Sequence, residues 1–125
     1  MAAEPTLPIR LSLPASPRYL LAARVVAASL GAEAGLTVDD LDDLRLGVNE
    51  LLSVLMDSAA PEARVDLEFL TGPDGVTVSG RIEPAPDVGG PDELAVRILE
   101  AVTDRYELDG ASFALTKGPS RRDDG

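Results

Sequence analysis

Glu50 lies within "RLGVNELLSVLMDSA" (Arg45–Ala59), four residues after Leu46 and four before Val54. On a helix that spacing puts all three on one stripe. A carboxylate flanked by apolar residues a turn above and below suggests a face that is covered or that lines a pocket. Asn49 adjoins it in sequence but points about 100° away around a helix. Asp57 is the nearest carboxylate on roughly the same face, seven residues on. Upstream, Asp39, Asp40, Asp42 and Asp43 form an acidic run. It lacks the glycine and the spacing of an EF-hand loop. It suits the start of a helix, where the dipole favours negative charge. Arg18 and Arg24 are cations that could grip an acidic partner, or be exposed and simply solvated.

Whole classes of chemistry are absent. The chain has no Cys, which rules out disulfides and thiolate metal sites. It has no His, which rules out histidine triads, bases and ligands. The formal net charge of −11 repels phosphate backbones, so direct nucleic-acid contact is disfavoured. A partner with a basic patch would suit that charge, and solubility alone would also explain it. No apolar run approaches the ~20 residues of a membrane span. The start "MAAEPTLPIR" has neither the basic region nor the apolar core of a signal peptide, so a cytoplasmic protein is expected.

The elements that would position these residues follow from periodicity. "IRLSLPA" (Ile9–Ala15) alternates at Ile9, Leu11 and Leu13, which predicts a strand ended by Pro14. Ser16-Pro17 predicts a helix start, with Ser16 as N-cap and Pro17 at the first position. Tyr19, Ala23, Val26 and Leu30 would be its stripe, and Gly31 or Gly35 its stop. Thr37 is expected to cap a second helix whose apolar face is Leu41, Leu44, Val48, Leu51, Leu52 and Leu55. "ARVDLEFLTGPDGVTVSGRIEP" (Ala63–Pro84) predicts a hairpin turning at Gly72–Gly75.

The Pro/Gly loop "PAPDVGGP" (Pro84–Pro91) leads into a third helix from about Asp92. Leu94, Ile98 and Val102 would line its buried face with Ala95 and Leu99 beside them, and Asp109-Gly110 would break it. "ASFALTK" (Ala111–Lys117) predicts a last strand. The fold class expected is α+β: a two-layer sandwich, a mostly antiparallel sheet with three helices on one face, in the order β-α-α-β-β-α-β. Residues 1–7 are expected to be a flexible N-terminus, 8–117 a single domain and 118–125 a flexible tail.

This order, with its Asp-rich second helix, resembles the GHKL ATPase superfamily. Within it the chain looks most like the anti-sigma regulatory factors, bacterial serine kinases that hold sigma factors. "LGVNELLSVLMDSA" (Leu46–Ala59) is similar in frame to that family's second-helix pattern, LAVxEAxxNAxxHA. "LSLPASPRYLLAARVVAASLGAEAGL" (Leu11–Leu36) is similar to the first strand and helix of small actinobacterial members. "ELAVRILEAVTDRYEL" (Glu93–Leu108) is similar to their last helix. The resemblance covers residues 8–117.

The resemblance implies that Glu50 occupies the catalytic carboxylate position. The position of the magnesium-holding Asn is Val54, which offers a hard cation no oxygen. The following His position is Ser58. Asp87 and Gly89 of "DVGGP" match the start of a D-x-G-x-G loop whose Asp receives the adenine amino group, with Pro91 where the second Gly would be. Gly90, Pro91 and Asp92 are all that stand where a phosphate lid would lie.

The resemblance therefore implies a degenerate nucleotide site on a regulatory binding protein, with no cofactor and no metal ligand. The implied partners are a sigma factor or a STAS-type anti-anti-sigma protein. An active ATP-dependent serine/threonine kinase using ATP and Mg²⁺ is the alternative. A structural or dimerisation module, and with it a homodimer, is a third reading.

Overall fold

The computed structural model describes residues 7–87 and 89–120. Most of the expected flexible N-terminus, residues 1–6, and the end of the expected tail, residues 121–125 with Arg121 and Arg122, lie outside them.

The chain forms β1 (Ile9–Pro14), a 3-10 turn (Pro17–Tyr19), α1 (Leu20–Glu33), α2 (Val38–Met56), β2 (Arg64–Gly72), β3 (Gly75–Glu83), α3 (Glu93–Val102), β4 (Arg105–Asp109) and β5 (Ser112–Lys117). The strands make one antiparallel sheet in the order β1-β2-β3-β5-β4. The result is the expected α+β sandwich of a sheet and three helices, with one strand more than expected.

Alternation within the strands makes one face of the sheet apolar. Val65, Leu67 and Phe69 of β2 pair with Ile82, Gly80 and Val78 of β3, and all six are buried. Gly80 in turn pairs with Phe113 of β5. A Cβ at Gly80 would stand 2.6 Å from the Phe113 ring, so the missing side chain is what lets Phe113 lie across the sheet. The opposite face carries Asp66, Glu68, Ser79 and Arg81. Gly75 closes the β2–β3 turn at φ +106, where an added Cβ would overlap the Lys117 carbonyl oxygen.

α2 is the spine of the helical layer. Thr37 and Asp40 form a reciprocal capping box at its start, the Asp40 amide donating to Thr37 Oγ1 at 3.1 Å and the Thr37 amide to Asp40 Oδ2 at 3.3 Å. Leu44, Val48, Leu51, Leu52 and Leu55 are fully buried, as the apolar spacing predicts. Leu41, at the end of that stripe, is only partly buried.

Three expectations about the helices need correcting. Ser16 makes no side-chain cap, and Pro17 opens the 3-10 turn rather than α1 itself. α1 buries Ala23, Ala27 and Gly31, not the bulkier stripe through Val26 and Leu30, which are only partly buried. Small residues win because α1 lies close on α2: a Cβ at Gly31 would meet Leu41 at 2.6 Å. α1 therefore runs through Gly31 and ends before Gly35, at φ +86.

The third correction concerns α3, which buries Ala95, Leu99 and Val102 and leaves Leu94 66% exposed and Ile98 half-buried. It stops at Val102 and does not continue to Leu108. Thr103 is extended, its hydroxyl donating to the Leu99 carbonyl at 2.7 Å, and the Asp104 amide donates to the Thr116 carbonyl at 2.9 Å. From there Tyr106 and Leu108 point to the core while Arg105, Glu107 and Asp109 point out, which is strand alternation. β4 and β5 then form a second hairpin, turning at Gly110.

Candidate functional site

The last two turns of α2, the loop before α3 and the first turn of α3 line an open cavity of about 600 Å³. α2 contributes Glu50, Ser53 and Val54, followed by Asp57 and Ser58 just past its end. The loop contributes Asp87, Gly89 and Gly90, and α3 contributes its cap Asp92 with Leu94 and Ala95. The structure thus brings Glu50 around one space with Asp87 and Gly89, which lie far from it in sequence.

Each wall has a local cause. Residues 50, 54 and 57 or 58 recur at helical spacing, so one stripe of α2 lines the cavity. The neighbouring stripe through Leu51, Leu52 and Leu55 is held in the core, which fixes the rotation of the helix. On the facing side Gly90, at φ +85, turns the chain into α3. Asp92 then caps α3, its Oδ1 accepting from the Ala95 amide at 2.8 Å.

The electrostatics of this cavity are one-sided. Its described lining holds four carboxylates, Glu50, Asp57, Asp87 and Asp92, and no Lys or Arg. The exposed amides of a helix start commonly hold an anion. At α3 a carboxylate already sits there, and Glu93 follows in the first turn. Glu50 is half-buried and makes no hydrogen bond or ion pair with any described residue. Val54, one turn further along α2, contributes only methyl groups. No cluster of three or more acidic side chains is arranged to hold a metal ion among the described residues.

Sequence reasoning missed part of this lining. Ser53 stands three residues from Glu50, and helical spacing alone would have found it. Leu94 was expected in the core and instead stands at the cavity, because α3 is rotated toward Ala95 and Leu99.

A second polar cluster lies at the other end of α2. Asp40 is fully buried and Lys117 nearly so. Lys117 Nζ lies 3.8 Å from Asp40 Oδ1 and 3.6 Å from Asp43 Oδ2. The Ser120 amide donates to Asp40 Oδ2 at 3.2 Å, and the Ser120 hydroxyl donates to Asp40 Oδ1. The Gly118 amide donates to Asp104 Oδ2 at 2.8 Å. Burial alone would raise the Asp40 carboxyl, but the hydrogen bonds from Ser120 and Thr37 outweigh it and lower the pKa to about 2. The cluster ties the start of α2 to the end of β5. The acidic run was read as charge at a helix start, and for Asp39 and Asp40 that position holds; Asp40 also has this second role.

No protein-family model and no curated protein sequence matches this chain. Among solved structures, its fold is similar to that of the RsbU and RsbW domains of Rv1364c from Mycobacterium tuberculosis, with a TM-score of 0.62 at 17% sequence identity. The likeness covers 92% of this chain and 32% of that one. The chain therefore spans about a third of the length of the protein it matches, and what the two share is the fold. No helix among the described residues is long and apolar enough to cross a membrane.

Proposed function

We propose that this protein is a regulatory binding protein of the anti-sigma type, built on a GHKL-like fold and acting by protein–protein contact, not by phosphoryl transfer. Its partner in this reading is a sigma factor or a STAS-type anti-anti-sigma protein, and its place is the cytoplasm. The fold shared with a structure that contains an RsbW domain supports the reading, as does the resemblance of residues 8–117 to anti-sigma factors.

The observation that carries the non-enzymatic half is the lining of the α2–α3 cavity. Phosphoryl transfer depends on positioning the phosphates and neutralising their charge. Here a triphosphate would meet Glu50, Asp57, Asp87 and Asp92 with no cation to offset them. At Val54 it would find no oxygen to anchor Mg²⁺. A kinase would need, beside carboxylates such as Glu50 and Asp87, an oxygen ligand for Mg²⁺ and donors for the phosphates.

The test of the binding half is direct. Each sigma factor and each STAS-domain protein of the source genome is purified and titrated against the full chain by biolayer interferometry, without nucleotide. The reading expects one of them to bind with a micromolar or tighter Kd. Binding by none of them, or binding that requires ATP and Mg²⁺, contradicts it.

A further inference from the structure

α3 carries more apolar surface than the core takes up. Ala95, Leu99 and Val102 are buried, and a second stripe runs beside them through Leu94, Ile98 and Ala101, at i, i+4 and i+7. Leu94 is 66% exposed, Ile98 is half-buried and Ala101 is exposed. The chain itself leaves this stripe largely uncovered.

The stripe begins at the α2–α3 cavity. Leu94 lines that space together with Val54 and Ala95, so the apolar surface continues from the helix into it. The carboxylates around it differ in what they already do. Asp92 is engaged as the cap of α3, and Glu93, in the first turn, has Arg97 at 3.4 Å. The side chains of Glu50, Asp57 and Asp87 have no hydrogen bond or ion pair with any described residue, and Glu50 is half-buried. Exposed apolar side chains bordered by polar ones mark a contact surface. The three unengaged carboxylates show which charge the other side of that contact would carry.

We propose that the outer stripe of α3, with the cavity beside it, is the docking site for a basic amphipathic helix of a protein partner. The proposal rests on the binding reading above and deepens it by naming the surface and the partner's charge. Apolar residues one turn apart on the incoming helix would cover Leu94 and Ile98. An arginine on its flank would enter the cavity and donate to Glu50. A guanidinium suits this place better than an ammonium, because its planar fork can make two parallel hydrogen bonds to one carboxylate. At about 600 Å³ the cavity is of the size that takes small ligands, so a whole side chain fits. The net charge of −11 favours encounter with a basic segment. The same charge sets two copies of this chain against each other and repels an anionic bilayer. A bare metal ion is a poor occupant, because no group of three or more acidic side chains among the described residues is arranged to hold one.

The test places the photo-crosslinker p-benzoylphenylalanine at Leu94, or at Ala101, in the full chain expressed in its native cells. The crosslinked peptide is then sequenced by mass spectrometry. Both positions are expected to capture the same peptide, with apolar residues at i and i+4 and Arg or Lys beside them. Glu50→Gln keeps the shape of the side chain and breaks no hydrogen bond of the described fold. It is expected to reduce the yield about tenfold or more. Glu107→Gln, the same change of net charge at an exposed site on β4, should leave the yield unchanged. If Glu50→Gln lowers the melting temperature, Leu94→Ser with the crosslinker at Ala101 repeats the test at a residue too exposed to unfold the chain.

The proposal is overturned by no adduct at either position, by an adduct to an acidic peptide, to lipid or to a second copy, or by equal yields from the parent and Glu50→Gln. The interferometry titration above separates the two claims. A sigma factor or STAS protein that binds Glu50→Gln and Leu94→Ser as tightly as the parent leaves the binding reading intact and rejects this surface. Capture at Leu94 of a basic helix from a protein unrelated to either class keeps the surface and rejects the anti-sigma reading.

Discussion

Asp40 of α2 and Lys117 of β5 face each other 3.8 Å apart, and both are sealed from solvent. The pair joins the start of the longest helix to the last strand. Removing one member leaves the other buried with fewer partners, which is costly. Asp43 remains 3.6 Å from Lys117 and softens the loss. Asp40→Ala is expected to destabilise the fold by about 2 kcal/mol or more, as read from urea denaturation. An unchanged midpoint would mean that the cluster is not closed in solution.

The hydrogen bonds that Ser120 and Thr37 donate to Asp40 set a pH dependence. Asp40 has a folded pKa lowered to about 2, from an ordinary value of 3.8. A depressed carboxyl contributes stability that is fully present above its unfolded pKa. That contribution is lost as pH falls through the folded value. The difference in urea midpoint between the parent and Asp40→Ala should therefore be constant above pH ~5 and narrow steadily toward pH ~2. A difference that grows on acidification would contradict the assignment.

The core and the rotation of α3 can be tested together. Leu51 is fully buried beneath α2, so Leu51→Ala is expected to cost ~2–5 kcal/mol. Leu94 is 66% exposed, so Leu94→Ser should change stability by no more than about 0.5 kcal/mol. Leu99→Ala, on the buried face of the same helix, should behave like Leu51→Ala. Thermal or chemical melts of the three variants decide the register. A large cost at Leu94 would restore the face expected from sequence.

Much of this was legible in the sequence where one signal dominated. The α2 stripe from Leu44 to Leu55, the Thr37 cap and the β2–β3 hairpin each combine strong periodicity with a clear stop, and each came out as read. α1 did so only at Ala23, because Val26 and Leu30 look more core-like than Ala27 and Gly31. Only the close approach of α2, a tertiary fact, selects the smaller residues. Residues 105–109 were read as helix because "RILEAVTDRYEL" keeps apolar residues at helical intervals as well as at strand intervals. The pairing with β5 decides between them. At the cavity, the resemblance points to Glu50, Asp87 and Gly89, and the fold brings these three around one space. The four-carboxylate lining was not legible, since Asp57 and Asp92 become its neighbours only when α2 and α3 pack.

Val54 offers a sharper test of why a nucleotide would be excluded. If the missing metal ligand were the whole obstacle, Val54→Asn would restore affinity for Mg²⁺-ATP. The carboxylates around it predict otherwise, because the triphosphate still meets four negative groups and no cation. Val54→Asn alone is expected to show no binding in a fluorescent-nucleotide titration. A micromolar Kd in that variant would place the whole defect on one residue.

The account stands or falls on whether the wild-type cavity takes nucleotide. Isothermal titration of the purified chain with ATP in excess Mg²⁺, at physiological concentrations, measures this directly. No saturable heat is predicted, with Mg²⁺ or without it. A micromolar, magnesium-dependent isotherm that disappears in Glu50→Ala or Asp87→Ala would contradict that prediction and restore the kinase alternative.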